Sequence, residues 1–223
     1  ALAIKELAGV TIRENTPVTS IMGKDRAGSV LTPGGELAAD AVFLAAGLIP
    51  NSEVLEGVRK GPLGEVVVDN HMQTNVTGVY ACGDVVGPPY LTPVARHQGI
   101  VAADNILGIP RIMDYKNIPR SISLTHELAY CINESEGMGS LTIPGPAGPG
   151  SFWSVPTGQT GLAKVIFDTG SGELAGICAA GPGGGLIAGY MAFLMKKHFS
   201  VHDFEEFIEV HPSTDGVYGL AKY

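Results

Sequence analysis

Cysteine and long apolar runs are both scarce in this sequence of 223 residues. The three cysteines, Cys82, Cys131 and Cys178, are far apart in the chain. An odd number without close spacing gives neither a disulfide framework nor a cysteine-based metal site, and it favours a reducing cytoplasm. The longest apolar run, residues 186–195, is far shorter than the roughly 20 residues that a membrane-spanning helix needs. We therefore expect no membrane span.

Basic residues are also few, with 14 Lys and Arg against 22 Asp and Glu. The resulting net charge of −8 argues against partners that are themselves polyanions, namely nucleic acids and anionic membrane surfaces. The content of hydrophobic residues is 45%, and there are 31 glycines. A chain of this length and composition can bury one large core or two moderate ones, as a turn-rich α/β protein does.

A dinucleotide-binding glycine motif is absent as well. No Gly-x-Gly-x-x-Gly follows a predicted strand, and the glycine-rich stretch at residues 181–186 fails because Leu186 occupies the last required position. That stretch is typical of a tight turn between a strand and a helix. A loop that holds a pyrophosphate by this motif is therefore not expected in the printed sequence.

The most informative stretch runs from residue 74 to residue 108. Residues 79–81 have the composition of a short buried strand, and the strand is followed by Gly83 and Asp84. An isolated Gly-Asp is typical of a turn, but a carboxylate at a strand end also suits ligand binding. Behind it, Thr92 suits a helix N-cap, Pro93 the first helical position and Gly108 the end of the helix.

This stretch reads Thr-x4-Val-Tyr-Ala-x-Gly-Asp and is followed by Leu-Thr-Pro-Val-Ala. It resembles the second FAD-binding motif of the pyridine nucleotide-disulfide oxidoreductases, which include dihydrolipoamide dehydrogenase, glutathione reductase and mercuric reductase. The resemblance implies that Asp84 binds the ribityl chain of FAD and that the helix after Leu91 points its N-terminus at the flavin ring. The residues implied in cofactor binding at this motif are Gly83, Asp84, Leu91, Thr92 and Ala95.

The segment before this motif resembles the end of the same family's NAD domain and its return into the FAD domain. We expect strands at residues 9–12 and 65–69, and an antiparallel pair at residues 18–22 and 29–32 with a turn at residues 33–35. Residues 40–47 are expected to form a buried strand that ends at Gly47, a further cofactor-binding candidate. The following residues resemble the family's Gly-Arg-x-Pro-Asn signature, but Leu48 replaces the arginine. The choice between NAD and NADP therefore stays open.

The C-terminal part resembles the family's interface domain. After a linker at residues 109–120, we expect strands at residues 121–127, 161–167 and 174–180, with a turn at residues 169–172 joining the last two. A loop is expected at residues 133–139, and another at residues 144–150, where proline and glycine oppose a helix. The apolar helix after Gly185 suits a subunit interface. The next helix begins with a capping box at Ser200 and Asp203 and buries residues 201, 204, 207 and 208.

The catalytic candidate is His211, in the sequence His-Pro-Ser-Thr-Asp. A single histidine near a C-terminus is usually structural, but the family closes its interface domain with His-Pro-Thr-x-x-Glu. The resemblance implies that His211 reaches the partner subunit's active site and exchanges a proton with the substrate thiol. The family's glutamate corresponds to Gly216, so Asp215 is the substitute candidate for orienting the histidine.

The sequence thus predicts an α/β plus α+β fold, the C-terminal part of a FAD/NAD-binding Rossmann-like domain followed by an α+β dimerisation domain with an antiparallel sheet. The predicted divisions are residues 1–39 (the end of the NAD domain), 40–108 (FAD domain), 109–120 (linker) and 121–223 (interface domain). The resemblance implies a homodimeric, FAD-dependent, NAD(P)H-linked oxidoreductase similar to dihydrolipoamide dehydrogenase. The family's Cys-x4-Cys dithiol is absent, so we expect an upstream half or a partner chain and no turnover by this chain alone. The alternatives are a reductase of a non-disulfide acceptor and a non-catalytic dimerisation module.

Overall fold

A computed structural model describes residues 9–123, 127–133, 137–143, 162–181 and 183–208 of the chain. The chain divides into two units, Ala1–Ile49 and Pro50–Tyr223. The predicted domain boundaries after residues 39, 108 and 120 stay a prediction. Within the described ranges, no helix is both long enough and apolar enough to cross a membrane.

The first unit contains a three-stranded antiparallel sheet. Its strands are β1 (Ser20–Met22), β2 (Ser29–Thr32) and β3 (Gly35–Ala38), in the order β1-β2-β3. The predicted pairing of the first two strands is confirmed, with Ile21 opposite Val30. The third strand was not predicted, because Gly35 was assigned to the turn. Gly35 has a φ of 113° and opens β3.

Two predicted strands of the first unit are wrong, those at residues 9–12 and 40–47. Both segments are turn, bend or coil without a strand partner among the described residues. Phe43 is 95% exposed and Leu44 is 78% exposed, although their apolar run is typical of a strand buried on both faces. A strand forms only where another strand takes up its backbone hydrogen bonds, and in this unit the described strands pair with one another instead.

The first half of the second unit is built around helix α1 (Thr92–Ile106). The predicted helix is confirmed, but its N-cap is Leu91 and Thr92 is its first residue. The predicted strands at residues 65–69 and 79–81 are wrong, because this region forms only isolated antiparallel bridges, such as Val68 with Thr74 and Gln73 with Tyr80. Tight turns reverse the chain direction after a few residues, so these single bridges do not extend into a ladder of paired strand residues.

A five-stranded antiparallel sheet forms the second half of this unit. Its strands are β4 (Arg120–Ser123), β5 (Glu127–Ile132), β6 (Met138–Ile143), β7 (Leu162–Asp168) and β8 (Leu174–Ala180), in the order β4-β5-β8-β7-β6. Strands β7 and β8 and the turn between them confirm the predicted hairpin. Strands β5 and β6 were not predicted as separate strands. Met138 already belongs to β6, so the predicted loop at residues 133–139 is too long at its end.

Helix α2 (Gly184–Lys196) packs on the central strands of this sheet. The buried residues of the helix and the sheet form one core that includes Val165, Ile177, Ile187 and Met191. Each of these side chains is at most 1% exposed. The predicted helix after Gly185 is confirmed, and the core accounts for the apolar residues on its buried face.

The chain then enters a 3₁₀ helix, Val201–Glu206, whose predicted capping box is present. The Asp203 carboxylate accepts hydrogen bonds from the Ser200 backbone N–H and hydroxyl, at 2.6 and 3.1 Å. Phe204 is buried in the core as predicted, but Ile208 is 90% exposed, so its predicted burial is wrong. The reason is that the helix ends at Glu206 and Phe207 is extended, which breaks the helical spacing before Ile208. The predicted loop at residues 144–150 lies outside the described residues.

Candidate functional site

The predicted Gly-Asp site is a short turn that leads into a single 3₁₀ turn, Asp84–Val86. Gly83 has a φ of 82° and a ψ of −162°, a conformation that is essentially restricted to glycine. The Val86 N–H donates to the Gly83 carbonyl and the Gly87 N–H to the Asp84 carbonyl, each at 3.1 Å. These bonds use the backbone and leave the exposed Asp84 side chain available to a ligand.

The chain beyond the turn is held closely against the preceding segment. Gly87 is buried, and a Cβ added to it would lie 3.2 Å from the Cβ of Glu65. The Val66 N–H also donates to the Val85 carbonyl at 2.8 Å. Both contacts restrain the backbone that directly follows Asp84. Residues 65 and 66 therefore help to hold the segment that carries the Asp84 carboxylate.

The turn also docks on one face of helix α1. The Gly83 N–H donates to Gln98 Oε1 at 2.7 Å. A Cβ added to Gly83 would lie 3.9 Å from the Ala95 Cβ, and one added to Gly99 would lie 3.9 Å from the Cys82 Sγ. Positions 95, 98 and 99 are neighbours on a helix surface because they are three and four residues apart. The Gly-Asp turn therefore lies beside the first two turns of the helix.

The N-terminus of helix α1 is open. Leu91 is the N-cap, and no side chain makes a capping hydrogen bond there. Thr92 is exposed, while Leu91 and Ala95 are half-buried. The Ala95 N–H donates to the Leu91 carbonyl at 2.9 Å. Uncapped N–H groups and the positive end of the helix dipole attract an electron-rich group.

This arrangement fits a flavin cofactor. An exposed carboxylate accepts hydrogen bonds from hydroxyl groups, as a polyhydroxyl chain would offer. The uncapped helix end beside the turn suits an electron-rich ring. The structure brings Gly83, Asp84 and Ala95 together, and Leu91 and Thr92 form the adjoining helix end. Among the residues that the structure describes, no cluster of three or more His, Cys, Asp or Glu side chains could hold a metal ion.

The other predicted site residues are Gly47, His211 and Asp215. Gly47 belongs to the first unit, where it is exposed and has a φ of 109°. His211 and Asp215 lie outside the described residues.

Sequence reasoning missed one residue of the site, Gln98. Its side chain is 2% exposed, and it occupies the buried face of α1 with Val94, Val101 and Ala102. A glutamine at a core position of an amphipathic helix must satisfy its carboxamide, and that spacing was the available signal. What the sequence could not give was the hydrogen-bond partner.

The cysteines of the sheet do not form a redox pair. Cys131 is opposite Ile177 and Cys178 is opposite Tyr130 on the paired strands β5 and β8. Because successive side chains of a strand alternate between faces, the two thiols point to opposite sides of the sheet. Burial raises the pKa of the Cys131 thiol and of the Cys178 thiol above their usual value, which favours the neutral thiol over the reactive thiolate in both.

The chain matches two known protein families. Residues 2–99 match the family described as pyridine nucleotide-disulphide oxidoreductase. Residues 149–221 match the family described as pyridine nucleotide-disulphide oxidoreductase, dimerisation domain. Together the two matches cover well over half of the chain.

Curated relatives carry related names. A dihydrolipoyl dehydrogenase from Bacillus subtilis (strain 168) is 33% identical over 186 residues, which are 78% of this chain and 40% of the relative. A trypanothione reductase from Trypanosoma congolense is 30% identical over 193 residues, which are 81% of this chain and 39% of the relative. The chain thus spans about 40% of the length of the relatives it matches.

Solved structures share the fold. The crystal structure of LpdA from Mycobacterium tuberculosis superposes with a TM-score of 0.83 at 20% identity, covering 96% of this chain and 49% of that one. The HOCl-induced flavoprotein disulfide reductase RclA from Escherichia coli gives a TM-score of 0.79 at 24% identity, covering 92% and 50%. At these identities the likeness concerns the fold alone, and it confirms the predicted fold class.

Proposed function

The chain belongs to the pyridine nucleotide-disulphide oxidoreductase family, and we propose that it forms the C-terminal portion of an enzyme similar to dihydrolipoamide dehydrogenase. Members of the family are FAD-dependent and use a pyridine nucleotide. The proposed activity transfers electrons between NAD(P)H, FAD and a thiol or disulfide substrate. The proposed location is the cytoplasm, because three widely spaced cysteines suit a reducing compartment.

The observation that carries this proposal is the docking of the Gly83–Asp84 turn on helix α1. Asp84 would hold the sugar-alcohol chain of FAD by accepting hydrogen bonds from its hydroxyl groups, and the backbone N–H groups of the first helical turn would stabilise negative charge on the flavin ring. Leu91, Thr92 and Ala95 line the approach to that helix end. When bound, the flavin supplies the chemistry that passes electrons between the nicotinamide and the thiol side.

Gly47 is a further cofactor-binding residue of the proposal. Gly47 has a backbone conformation at φ 109° that favours glycine, and a Cβ added there would meet no atom within 4 Å. The exposed backbone can therefore be approached closely by a ligand. Leu48 replaces the arginine of the family's signature. Without that cation the choice between NAD and NADP stays open, and the proposal includes both.

The proposed acid and base is His211, which exchanges a proton with the substrate thiol. An imidazole titrates near neutral pH, and a positioned one contributes a factor of roughly 10² to 10⁴ to the rate. Asp215 is the proposed carboxylate that orients it. Because the printed sequence has neither a Cys-x4-Cys pair nor a Gly-x-Gly-x-x-Gly loop, we expect no turnover from this chain alone.

The proposed assembly is a homodimer through the C-terminal domain. Helix α2 has three large exposed apolar side chains, Leu186, Tyr190 and Phe193, with exposed fractions of 61%, 59% and 58%. Their spacing of four and three residues places them on one face, opposite the buried one. A second copy of the chain would cover this face. An upstream half or a partner chain would supply the dithiol and the pyrophosphate loop.

Two alternatives remain within the proposal. In the first, the enzyme reduces a non-disulfide acceptor, because Gly216 occupies the position of the family's glutamate. In the second, the chain is a non-catalytic dimerisation module, which the apolar face of α2 would equally serve. A chain that dimerises without binding flavin supports the module, whereas flavin binding supports the oxidoreductase.

Equilibrium titration of FAD fluorescence with the chain tests the proposal. Replacing Asp84 by Asn removes a charged acceptor, and hydrogen bonds to charged groups contribute about 1.5–3 kcal/mol. Asp84→Asn should therefore weaken FAD binding roughly 10- to 100-fold, with no change in Tm because the carboxylate is exposed. Glu56→Gln, at another exposed carboxylate of the same unit, is the matched control. Equal affinity of Asp84→Asn and the unmodified chain would contradict the proposal.

A further inference from the structure

The buried Gln98 side chain uses both ends of its carboxamide. Its Oε1 accepts the Gly83 N–H at 2.7 Å, and its Nε2 donates to the Tyr115 hydroxyl at 2.9 Å. The residue is 2% exposed, so water does not compete effectively for these bonds. A buried glutamine with an unsatisfied carboxamide would cost about 1–3 kcal/mol, and here both partners are present.

The Gly83 N–H fixes which way the carboxamide points, because it can only donate. A carboxamide can rotate by half a turn and exchange its oxygen and nitrogen. In the reversed orientation the NH₂ group would face the Gly83 N–H, placing two donors together. The oxygen therefore stays directed at Gly83, and the Tyr115 hydroxyl accepts the hydrogen bond that Nε2 then donates. Tyr115 lies in the segment between α1 and β4, so the two hydrogen bonds of the Gln98 side chain join that segment to the Gly-Asp turn.

The hydrogen bond from the Gly83 N–H to Gln98 Oε1 restrains Gly83, the residue of the turn with the greatest backbone freedom. A glycine with a φ of 82° and a ψ of −162° has many other accessible conformations, because it has no Cβ. Rotation about its backbone dihedrals would change the direction of the next residue, Asp84. The hydrogen bond from Gln98 holds the Gly83 peptide on the helix and so selects one direction for the carboxylate.

We propose that Gln98 is a positioning residue, which aims the Asp84 carboxylate at the hydroxyl chain of the flavin through its bond to the Gly83 N–H. This inference rests on the proposed function, because it names the residue that orders the cofactor contact. Gln98 itself does not touch the cofactor in this proposal. Its effect on flavin binding is transmitted through one backbone N–H.

The alternative is that Gln98 only stabilises the core of the unit. Val101 separates the two roles, because it is 0% exposed on the same face of α1 and no hydrogen bond joins its side chain to the turn. Val101→Ala should lower stability by leaving a cavity without releasing Gly83. A purely structural Gln98 would affect flavin binding only as much as Val101→Ala does at equal loss of stability.

The test compares three variants of the full chain by two readouts. Gln98→Met removes the acceptor at similar side-chain length, Gln98→Glu keeps an acceptor for Gly83 N–H, and Val101→Ala is the control. The readouts are the amide hydrogen exchange rate of Gly83, measured by NMR without ligand, and the Kd for FAD. Gln98→Asn, whose acceptor is one methylene shorter, replaces Gln98→Met if that variant does not fold.

We expect Gln98→Met to accelerate Gly83 exchange at least tenfold and to weaken FAD binding about tenfold. Gln98→Glu should stay within threefold of the unmodified chain in both, and Val101→Ala should leave the FAD Kd within threefold. The inference is overturned if Gln98→Met binds FAD as tightly as the unmodified chain, or if Val101→Ala weakens it equally.

The outcomes also separate this inference from the proposed function. If the unmodified chain binds no FAD, the proposed function fails and the positioning role fails with it. If the unmodified chain binds FAD and Asp84→Asn does not, while Gln98→Met binds normally, the proposed function stands and only the inference about Gln98 fails.

Discussion

Lys196, in the last turn of α2, reaches back to Asp114, with 3.5 Å between its Nζ and the Asp114 Oδ2. This ion pair joins the segment that precedes the sheet to the helix that covers it. The carboxylate also accepts the Lys116 N–H at 2.9 Å. That backbone hydrogen bond first, and then the charge of Lys196, lower the pKa of Asp114 below its usual 3.8.

The lowered pKa predicts how acid affects stability. A carboxyl whose pKa is lower in the folded chain contributes stability above its unfolded pKa and loses it as the pH falls through the folded value. Asp114→Asn should therefore lower the free energy of unfolding at pH 7 but not at pH values well below 3.8. The side chain of Asp114 is 51% exposed, so we expect less than about 1 kcal/mol.

Urea unfolding at pH 7 and pH 3 checks this prediction. Glu53→Gln, at an exposed carboxylate of the same unit, controls for the change in net charge. A difference between Asp114→Asn and the unmodified chain that persists undiminished at pH 3 would contradict the assignment.

The three thiols should differ in their reaction with Ellman's reagent. Cys82 is exposed, whereas Cys131 is buried and Cys178 is half-buried. Burial raises the pKa of the latter two, so fewer of them are thiolate, the reactive form, at a given pH. At pH 8 we expect one fast thiol and two that react at least tenfold more slowly. Cys82→Ser should remove the fast phase, and three equally fast thiols in the folded chain would refute the prediction.

His198 ends helix α2 in a left-handed conformation, with a φ of 58°. Its N–H donates to the Met195 carbonyl at 3.1 Å and the Phe199 N–H to the Leu194 carbonyl at 3.2 Å, which is the Schellman motif. Glycine relieves the left-handed strain, whereas a β-branched residue increases it. His198→Gly should raise stability by up to about 1 kcal/mol, and His198→Val should lower it.

Thermal unfolding of both variants gives the sign of each effect. His198 Nδ1 also lies 2.7 Å from the Glu173 carboxylate, so Glu173→Gln measures how much the loss of this contact contributes. Stabilisation by valine, or destabilisation by glycine beyond that contribution, would show that the backbone is not strained at this position.

The apolar segment at residues 40–47 makes a further prediction. Phe43 is 95% exposed, so Phe43→Ser should change the free energy of unfolding by no more than about 0.5 kcal/mol. Ile177, which is 0% exposed, is the comparison, and Ile177→Ala should cost about 2–5 kcal/mol. A cost for Phe43→Ser as large as that for Ile177→Ala, in urea unfolding, would mean that the segment is buried as a strand.

The sequence predicted the elements that depend on local signals. Helix α1, the β7–β8 hairpin and the capping box at Ser200 each follow from residues a few positions apart. The segments at residues 40–47 and 65–69 have the composition of buried strands, but strand formation depends on distant partners that composition does not specify. The same limit applies to the site, where Asp84 was found by its motif and Gln98, whose partners are 15 and 17 residues away, was not.

In the proposed function, the Gly83–Asp84 turn and the start of helix α1 form a flavin half-site. Its most direct test is NMR titration of the ¹⁵N-labelled chain with FAD, following each assigned backbone amide. We predict saturable shifts of the Gly83, Asp84, Thr92 and Val94 amides, with the same Kd at all four, and no such shifts in strands β7 and β8. The absence of saturable shifts at these amides, or shifts confined to other parts of the chain, would contradict the account.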